Sequence, residues 1–357
     1  MVNEKIRLGV LHGAISNAGD FLIYERGKKL LEFFLNDYFD FIYIERFKPF
    51  SGDFDGLIIL GGPFLSRRLN WQARIISEYV RNKALPIFCI GLGISGKRSD
   101  FDKVRMDHFL DNETILFWKY VYETSELLSV RDRISCDMLK NYGIESELTG
   151  CPALFDLENL EGKRTFLENK KEIDKILVSI PDLTVKSLSS VKPFLLTLYF
   201  LYTLRRKFHD KEIGIIFQHG YSIPQKVIKK LANIKGIKTY DVSGKSLDSF
   251  SKLYEYDVHI GTRLHSHIFF LSLNKPSFLF NVDMRTEAFL KTIETPTDDY
   301  TISGIENLVN MLADGITKNN FDKFNNVPID IENLCGAMKN FLTKMIVFYK
   351  NRGAHYE

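Results

Sequence analysis

The sequence predicts an α/β fold: two Rossmann-like domains facing a cleft, followed by C-terminal helices. Three observations predict it. Apolar runs of strand length alternate with stretches of helical period along most of the chain, which is the order of βαβ units. At about 150 residues per domain, 357 residues accommodate two such units. A charged, weakly patterned stretch, residues 156–174, interrupts the rhythm once and reads as a linker. The domains expected are residues 1–155 and 175–300, with residues 301–357 forming helices that pack back on the body.

In the first half, short runs rich in Leu, Ile, Val and Phe predict strands at Arg7 to His12, Phe41 to Glu45, Gly56 to Leu60, Pro86 to Ile90, Leu127 to Val130 and Glu145 to Thr149. Helical period fills the gaps at Phe21 to Asn36, Trp71 to Asn82, Asn112 to Tyr122 and Ile134 to Asn141, the last ended by Gly143. The second half repeats the alternation. Strands are expected at Lys175 to Ile180, Gly214 to Phe217, Ile237 to Tyr240, Val258 to Ile260 and Ser277 to Phe280. Helices are expected at Pro193 to Phe208, Pro224 to Asn233, Ser246 to Tyr254 and Leu264 to Leu273, then at Ile305 to Asp314 and Ile331 to Tyr349. In such folds ligands sit at the carboxyl ends of the strands, so the chemistry is expected in the cleft.

Composition narrows the function. Forty-eight Lys and Arg against 45 Asp and Glu, a net charge of +3, argue against a nucleic-acid binder steered by bulk charge. A hydrophobic content of 45% excludes disorder. Cys89, Cys136, Cys151 and Cys335 form no CxxC pair and are too sparse for a disulfide scaffold, which fits a reducing, cytoplasmic compartment. The segment from Met1 to Gly13 carries Glu4, Lys5 and Arg7 where a secretory signal needs an unbroken apolar core, and it reads as a strand. The longest apolar stretch, Phe194 to Leu204, falls short of the roughly 20 residues of a membrane span and ends in Arg205, Arg206 and Lys207. It reads as a core-facing helix or as one making a peripheral contact with an anionic membrane.

The motifs cluster at strand ends. Gly91, Gly93 and Gly96 with Lys97 follow an apolar strand in a G-x-G-x-x-G pattern. However, Arg98 stands where a phosphate loop needs a hydroxyl, and no helical stripe follows, so a glycine-permitted loop at the cleft is the reading preferred. Asn17, Gly19 and Asp20 lie between the first strand and its helix, either as an N-cap or with Asp20 positioned to orient or deprotonate a hydroxyl. Gly61 and Gly62 close a strand in a tight turn that also permits close approach by a ligand. Arg131 and Asp132 end another strand, where an arginine is either half of a surface ion pair or a fork for carboxylate or phosphate. Arg263, Leu264 and His265 open a helix directly after a strand. Free amides, helix dipole and guanidinium converge there on an anion site, with His265 expected to titrate near neutrality. His259 and His267 read as structural, and His265 with His267 lacks a third ligand for a metal.

Taken in order, these segments resemble the polysaccharide pyruvyl transferase family: Asn17 to Asp20, Gly61–Gly62, Gly91 to Ile94, Val130 to Asp132, Thr149 to Ala153, Arg263 to His265, and Asp283 with Arg285. The resemblance implies a GT-B-like fold. It also implies transfer of a pyruvyl group from phosphoenolpyruvate onto two hydroxyls of a sugar, in exopolysaccharide biosynthesis; no cofactor is expected beyond the donor, and no metal-ligand set is read in the sequence. It places Asp20, Arg131, Arg263, Leu264 and His265 in the active site, with the donor site in the second domain. Asn17, Gly19, Gly61, Gly62, Gly93 and Arg285 are then candidate substrate-binding positions. Pro63, Cys151 and Ser95–Gly96 depart from the family pattern, which bears on the acceptor and on loop shape. In the mechanism expected, Arg131 and Arg263 hold the donor's anionic groups, His265 is the general acid and Asp20 the base or sugar-orienting group. The acceptor is a sugar, free or lipid-linked. The competing readings are a GT-B-type nucleotide-sugar glycosyltransferase and a non-catalytic glycan-assembly protein.

Overall fold

A computed structural model describes residues 5–81, 83, 85–100, 109–160, 172–183, 191–218, 222–244 and 247–353. Two six-stranded parallel sheets organise the chain. The first comprises β1 (Ile6–His12), β2 (Phe39–Glu45), β3 (Gly56–Leu60), β5 (Ile87–Leu92), β7 (Leu128–Val130) and β8 (Glu147–Leu148), in the order β2-β1-β3-β5-β7-β8. Between β3 and β8 the chain also places β4 (Leu65–Ser66), which pairs with β6 (Ile94–Ser95). The second comprises β9 (Lys175–Ser179), β10 (Glu212–Phe217), β11 (Lys238–Asp241), β12 (Val258–Gly261), β13 (Ser277–Asn281) and β14 (Thr297–Asp299), in the order β11-β10-β9-β12-β13-β14. Each sheet reverses its strand order once, between β1 and β3 and between β9 and β12. Those switch points open the crevices where α/β folds take ligands.

The strands carry near-continuous apolar runs because helices cover both faces. Among the described residues, the helices of the first half are α1 (Ala18–Leu35), α2 (Trp71–Arg81), α3 (Asn112–Ser125), α4 (Arg133–Asn141) and the single turn α5 (Leu157–Leu160). Those of the second are α6 (Val191–Lys207), α7 (Ile223–Ile234), α8 (Leu264–Ser272), α9 (Met284–Leu290), α10 (Ile302–Lys318) and α11 (Val327–Gly353). The expected stretch from Ser246 to Tyr254 is 3-10 helix over Leu247–Glu255, with Ser246 itself outside the described residues, as is residue 82 at the end of α2. Most of the expected linker, residues 161–171, also lies outside them.

The long helix α11 returns to the first sheet. Phe341, Leu342 and Met345 are fully buried, the Tyr349 hydroxyl donates to the Asp55 carbonyl at 3.0 Å, and Phe348 meets Phe88 edge to face. No described helix is long and apolar enough to cross a membrane.

Candidate active site

The carboxyl ends of the two sheets face each other, and contacts join them on both flanks. On one flank the turn after β1 meets the second sheet's loops: the Ala18 amide donates to the Gln218 carbonyl at 3.2 Å, and Gly244 donates to the Ser16 carbonyl at 2.7 Å. On the other, the loop after β6 lies on α9, where Met284 donates to the Gly96 carbonyl at 3.4 Å and Arg98 pairs with Asp299. This loop is the glycine-rich motif. It runs from β5 into the short strand β6 and then a 3-10 turn at Arg98–Asp100, and it serves as a docking loop; residues 101–108, which follow it, lie outside the described residues.

From the second sheet, β12 ends at Gly261 and α8 begins at Leu264. Arg263 occupies the N-cap position and its side chain makes no capping bond. The first turn of α8 therefore keeps amides free for an anion, with the positive end of the dipole behind them. The Arg263 Nε donates to the Ile180 carbonyl at 2.9 Å and its amide to the Ser179 hydroxyl at 3.0 Å, which fixes the residue at the β9–β12 switch point. Burial lowers its guanidinium to about 10, so it remains charged at neutral pH. Leu264 is buried in the core. Arg285 leans on Asp283, the N-cap of α9, its Nε donating at 2.9 Å.

His265 differs from the sequence expectation in its protonation. Burial, then the nearby charges of Arg131 and Arg285, lower the imidazole to about 3, against the opposing effect of Asp283. It is neutral at pH 7, and a bound anion is what would return its proton. His259 and His267 are spent structurally. His259 sits between Ser277 and Ser179 at 2.7 and 2.9 Å, and His267 between Ser277 and Thr295 at 2.8 and 3.2 Å.

From the first sheet, Arg131 follows β7 and is completely buried. Its Nε donates to Asp132 at 3.3 Å, while Asp132 also caps α4 through Ser135 at 2.8 Å. Its guanidinium lies against the backbone of Gly93, where a Cβ would overlap it, so the glycine loop is shaped around the arginine. Gly19 stands in the same relation to His265 across the domain junction. Asn17 is the N-cap of α1, its side chain accepting from Gly19 at 2.9 Å. Gly61 and Gly62 both have positive φ, +57° and +88°, which a side chain would strain.

That turn covers a residue the sequence reading missed. Arg46, directly after β2, is buried beneath Gly62 and beside Gly13. It donates to the Gly61 carbonyl at 3.2 Å and interacts electrostatically with Asp20. Its position at a strand's carboxyl end is the signal that singled out Arg131; nothing local marks it as buried.

Among the described residues, eight buried side-chain polar atoms have no hydrogen-bond partner. Four of them, Arg46 Nε, Arg131 Nη1, Thr262 Oγ1 and His265 Nε2, belong to residues at the facing sheet ends. Buried unpaired polar groups are costly, and an acceptor-rich, anionic ligand at this junction would satisfy the two guanidinium nitrogens among them. No group of three or more His, Cys, Asp or Glu among the described residues is arranged to hold a metal.

A family model described as polysaccharide pyruvyl transferase matches residues 17–284. No curated protein matches. Among solved structures, the Staphylococcus aureus MnaA–UDP complex is 12% identical with a TM-score of 0.60, covering 97% of each chain. The UDP-GlcNAc 2-epimerase of Methanocaldococcus jannaschii is 13% identical with a TM-score of 0.55, covering 92% of this chain and 98% of its own. At these identities the likeness is one of fold, and the fold is GT-B-like.

Proposed function

The chain belongs to the polysaccharide pyruvyl transferase family, and we propose that it transfers the enolpyruvyl group of phosphoenolpyruvate to two hydroxyls of a sugar, forming a pyruvate ketal and releasing phosphate. The observation that carries this reading is the cluster of buried, unpaired donors on Arg46, Arg131 and His265 beside the open helix end at Arg263. Phosphoenolpyruvate brings a carboxylate and a phosphate, and two guanidinium forks from opposite sheets suit the pair.

In the proposed mechanism the bound anion raises His265, which then protonates the enol methylene carbon. The resulting cationic C2 is attacked by one sugar hydroxyl, whose proton passes to Asp20. Phosphate departs from C2 with the proton held by Asp20, and the second hydroxyl then attacks C2 to close the ketal, its proton passing to His265 and restoring the acid. Arg131 and Arg263 stabilise the departing phosphate, and Arg46 holds the Asp20 side of the site. The acceptor is a sugar, free or lipid-linked, and the reaction belongs to exopolysaccharide assembly in the cytoplasm.

The experiment is to incubate the protein with phosphoenolpyruvate and a panel of sugar acceptors, following phosphate by ³¹P NMR. Acceptor-dependent phosphate release, lost in His265→Ala, supports the reading. A second reading, a nucleotide-sugar transferase, draws on the UDP named in the Staphylococcus aureus complex. Release of UDP from a UDP-sugar, with phosphoenolpyruvate inert, would replace the first by the second.

A further inference from the structure

Among the described residues, the second domain has an apolar face left exposed. α7 buries Pro224, Gln225, Ile228 and Ala232 on its inner side. On the outer side Ile223, Val227, Leu231 and Ile234 recur at helical spacing, with Ile223 78% and Ile234 69% exposed. α6 lies alongside and exposes Leu195 and Tyr202. Between the helices runs a groove of about 420 Å³, lined by Leu198, Leu201, Tyr202, Leu231 and Ile237. Contiguous exposed apolar surface of this kind marks an interaction site.

Charge identifies the partner. Neither α6 nor α7 contains an Asp or Glu; Arg205, Arg206 and Lys235 line the groove, and the same two helices expose Lys207, Lys226 and Lys230. The carboxylates that follow α6 are paired elsewhere: Asp210 with Lys211 and Glu212 with Lys238. Glu306, from α10, is bound by the Tyr199 hydroxyl. A second copy of the chain would bring the same basic rim and repel this one in a two-fold pairing.

We propose that the α6–α7 face docks on an anionic phospholipid bilayer, the apolar stripe entering the acyl boundary and the basic rim meeting the headgroups. α7 begins just beyond Gln218, whose carbonyl binds the turn after β1, so the Ile223 end of the stripe lies toward the rim of the candidate active site. The docked orientation sets that site beside the bilayer, where a lipid-linked sugar is presented. The inference rests on surface chemistry and is independent of the donor's identity.

The test is cosedimentation of the full chain with phosphatidylcholine vesicles, with and without phosphatidylglycerol, for wild type and Ile223→Glu/Ile234→Glu. The proposal expects binding only to the phosphatidylglycerol vesicles, weakened by salt, and about tenfold or more weaker in the variant. The variant's melting curve and its protection by phosphoenolpyruvate should match wild type. Absence of binding, equal binding to phosphatidylcholine, or undiminished binding by the variant would overturn it. So would a lipid-free dimer that the variant dissociates.

Discussion

The backbone of Gly19 lies directly against the imidazole of His265, with no room between them for a Cβ. One residue opens the first helix of the first sheet's layer and the other the helix after β12, so this contact sets the spacing of the two halves at the candidate catalytic histidine. Gly19→Ala should therefore keep the fold, by circular dichroism, and lower turnover by about 10²-fold, the cost of roughly an ångström of misplacement. Unchanged turnover would mean that the contact does not position His265.

His265→Ala should reduce turnover by about 10² to 10⁴-fold while largely sparing donor affinity, as for loss of a proton donor. Arg263→Ala should instead weaken donor binding, because it removes a charged fork at the helix end. Calorimetric titration with phosphoenolpyruvate separates the two outcomes.

Arg46 is buried with its Nε unpaired, so its charge costs stability unless a ligand meets it. Arg46→Met should leave the melting temperature unchanged or raised, and should weaken ligand binding or turnover by about 10- to 100-fold, the worth of a charge-assisted hydrogen bond. A large loss of stability with activity retained would make Arg46 a structural residue.

The buried histidines give the fold a pH limit. His12 is lowered to about 4, and His265 and His267 to about 3, each chiefly by burial, while the unfolded chain titrates near 6.5. Below 6.5 the unfolded state binds protons that the folded state refuses. The stability these groups contribute is complete above 6.5 and falls as pH drops toward their folded values. The slope is about 1.4 kcal/mol per pH unit for each fully buried histidine. Urea unfolding at stepped pH should show the decline starting near 6.5, and His267→Gln should flatten it.

Phe341 on α11 is fully buried in the core. Phe341→Ala should cost about 3–5 kcal/mol in urea unfolding, if α11 is as integral to the body as its packing against the first sheet indicates.

Most strands and long helices were legible because apolar period reports burial directly: β3 is apolar from Leu57 to Leu60 and falls where expected. β14 was not legible. Its Thr297, Asp298 and Asp299 carry no apolar signal, and the strand exists because the edge of β13 offers backbone partners. α9 was missed for a related reason: it is short and polar in part, and it is started by the Asp283 capping box. At the site, Asp20, Arg131, Arg263 and His265 announce themselves by following strands. The burial of Arg46 under a glycine turn from another strand, and the depression of His265 by burial and then by charges from both halves, arise only from tertiary contact.

The central claim is that phosphoenolpyruvate binds between Arg131 and Arg263. The most direct test is thermal stabilisation of the purified protein by phosphoenolpyruvate, with nucleotide sugars as competitors and Arg263→Ala as control. A ligand at 100 times its dissociation constant adds about 2.7 kcal/mol to stability, a readily visible shift. The account predicts stabilisation by phosphoenolpyruvate that vanishes in Arg263→Ala. Stabilisation by a nucleotide sugar alone would contradict it.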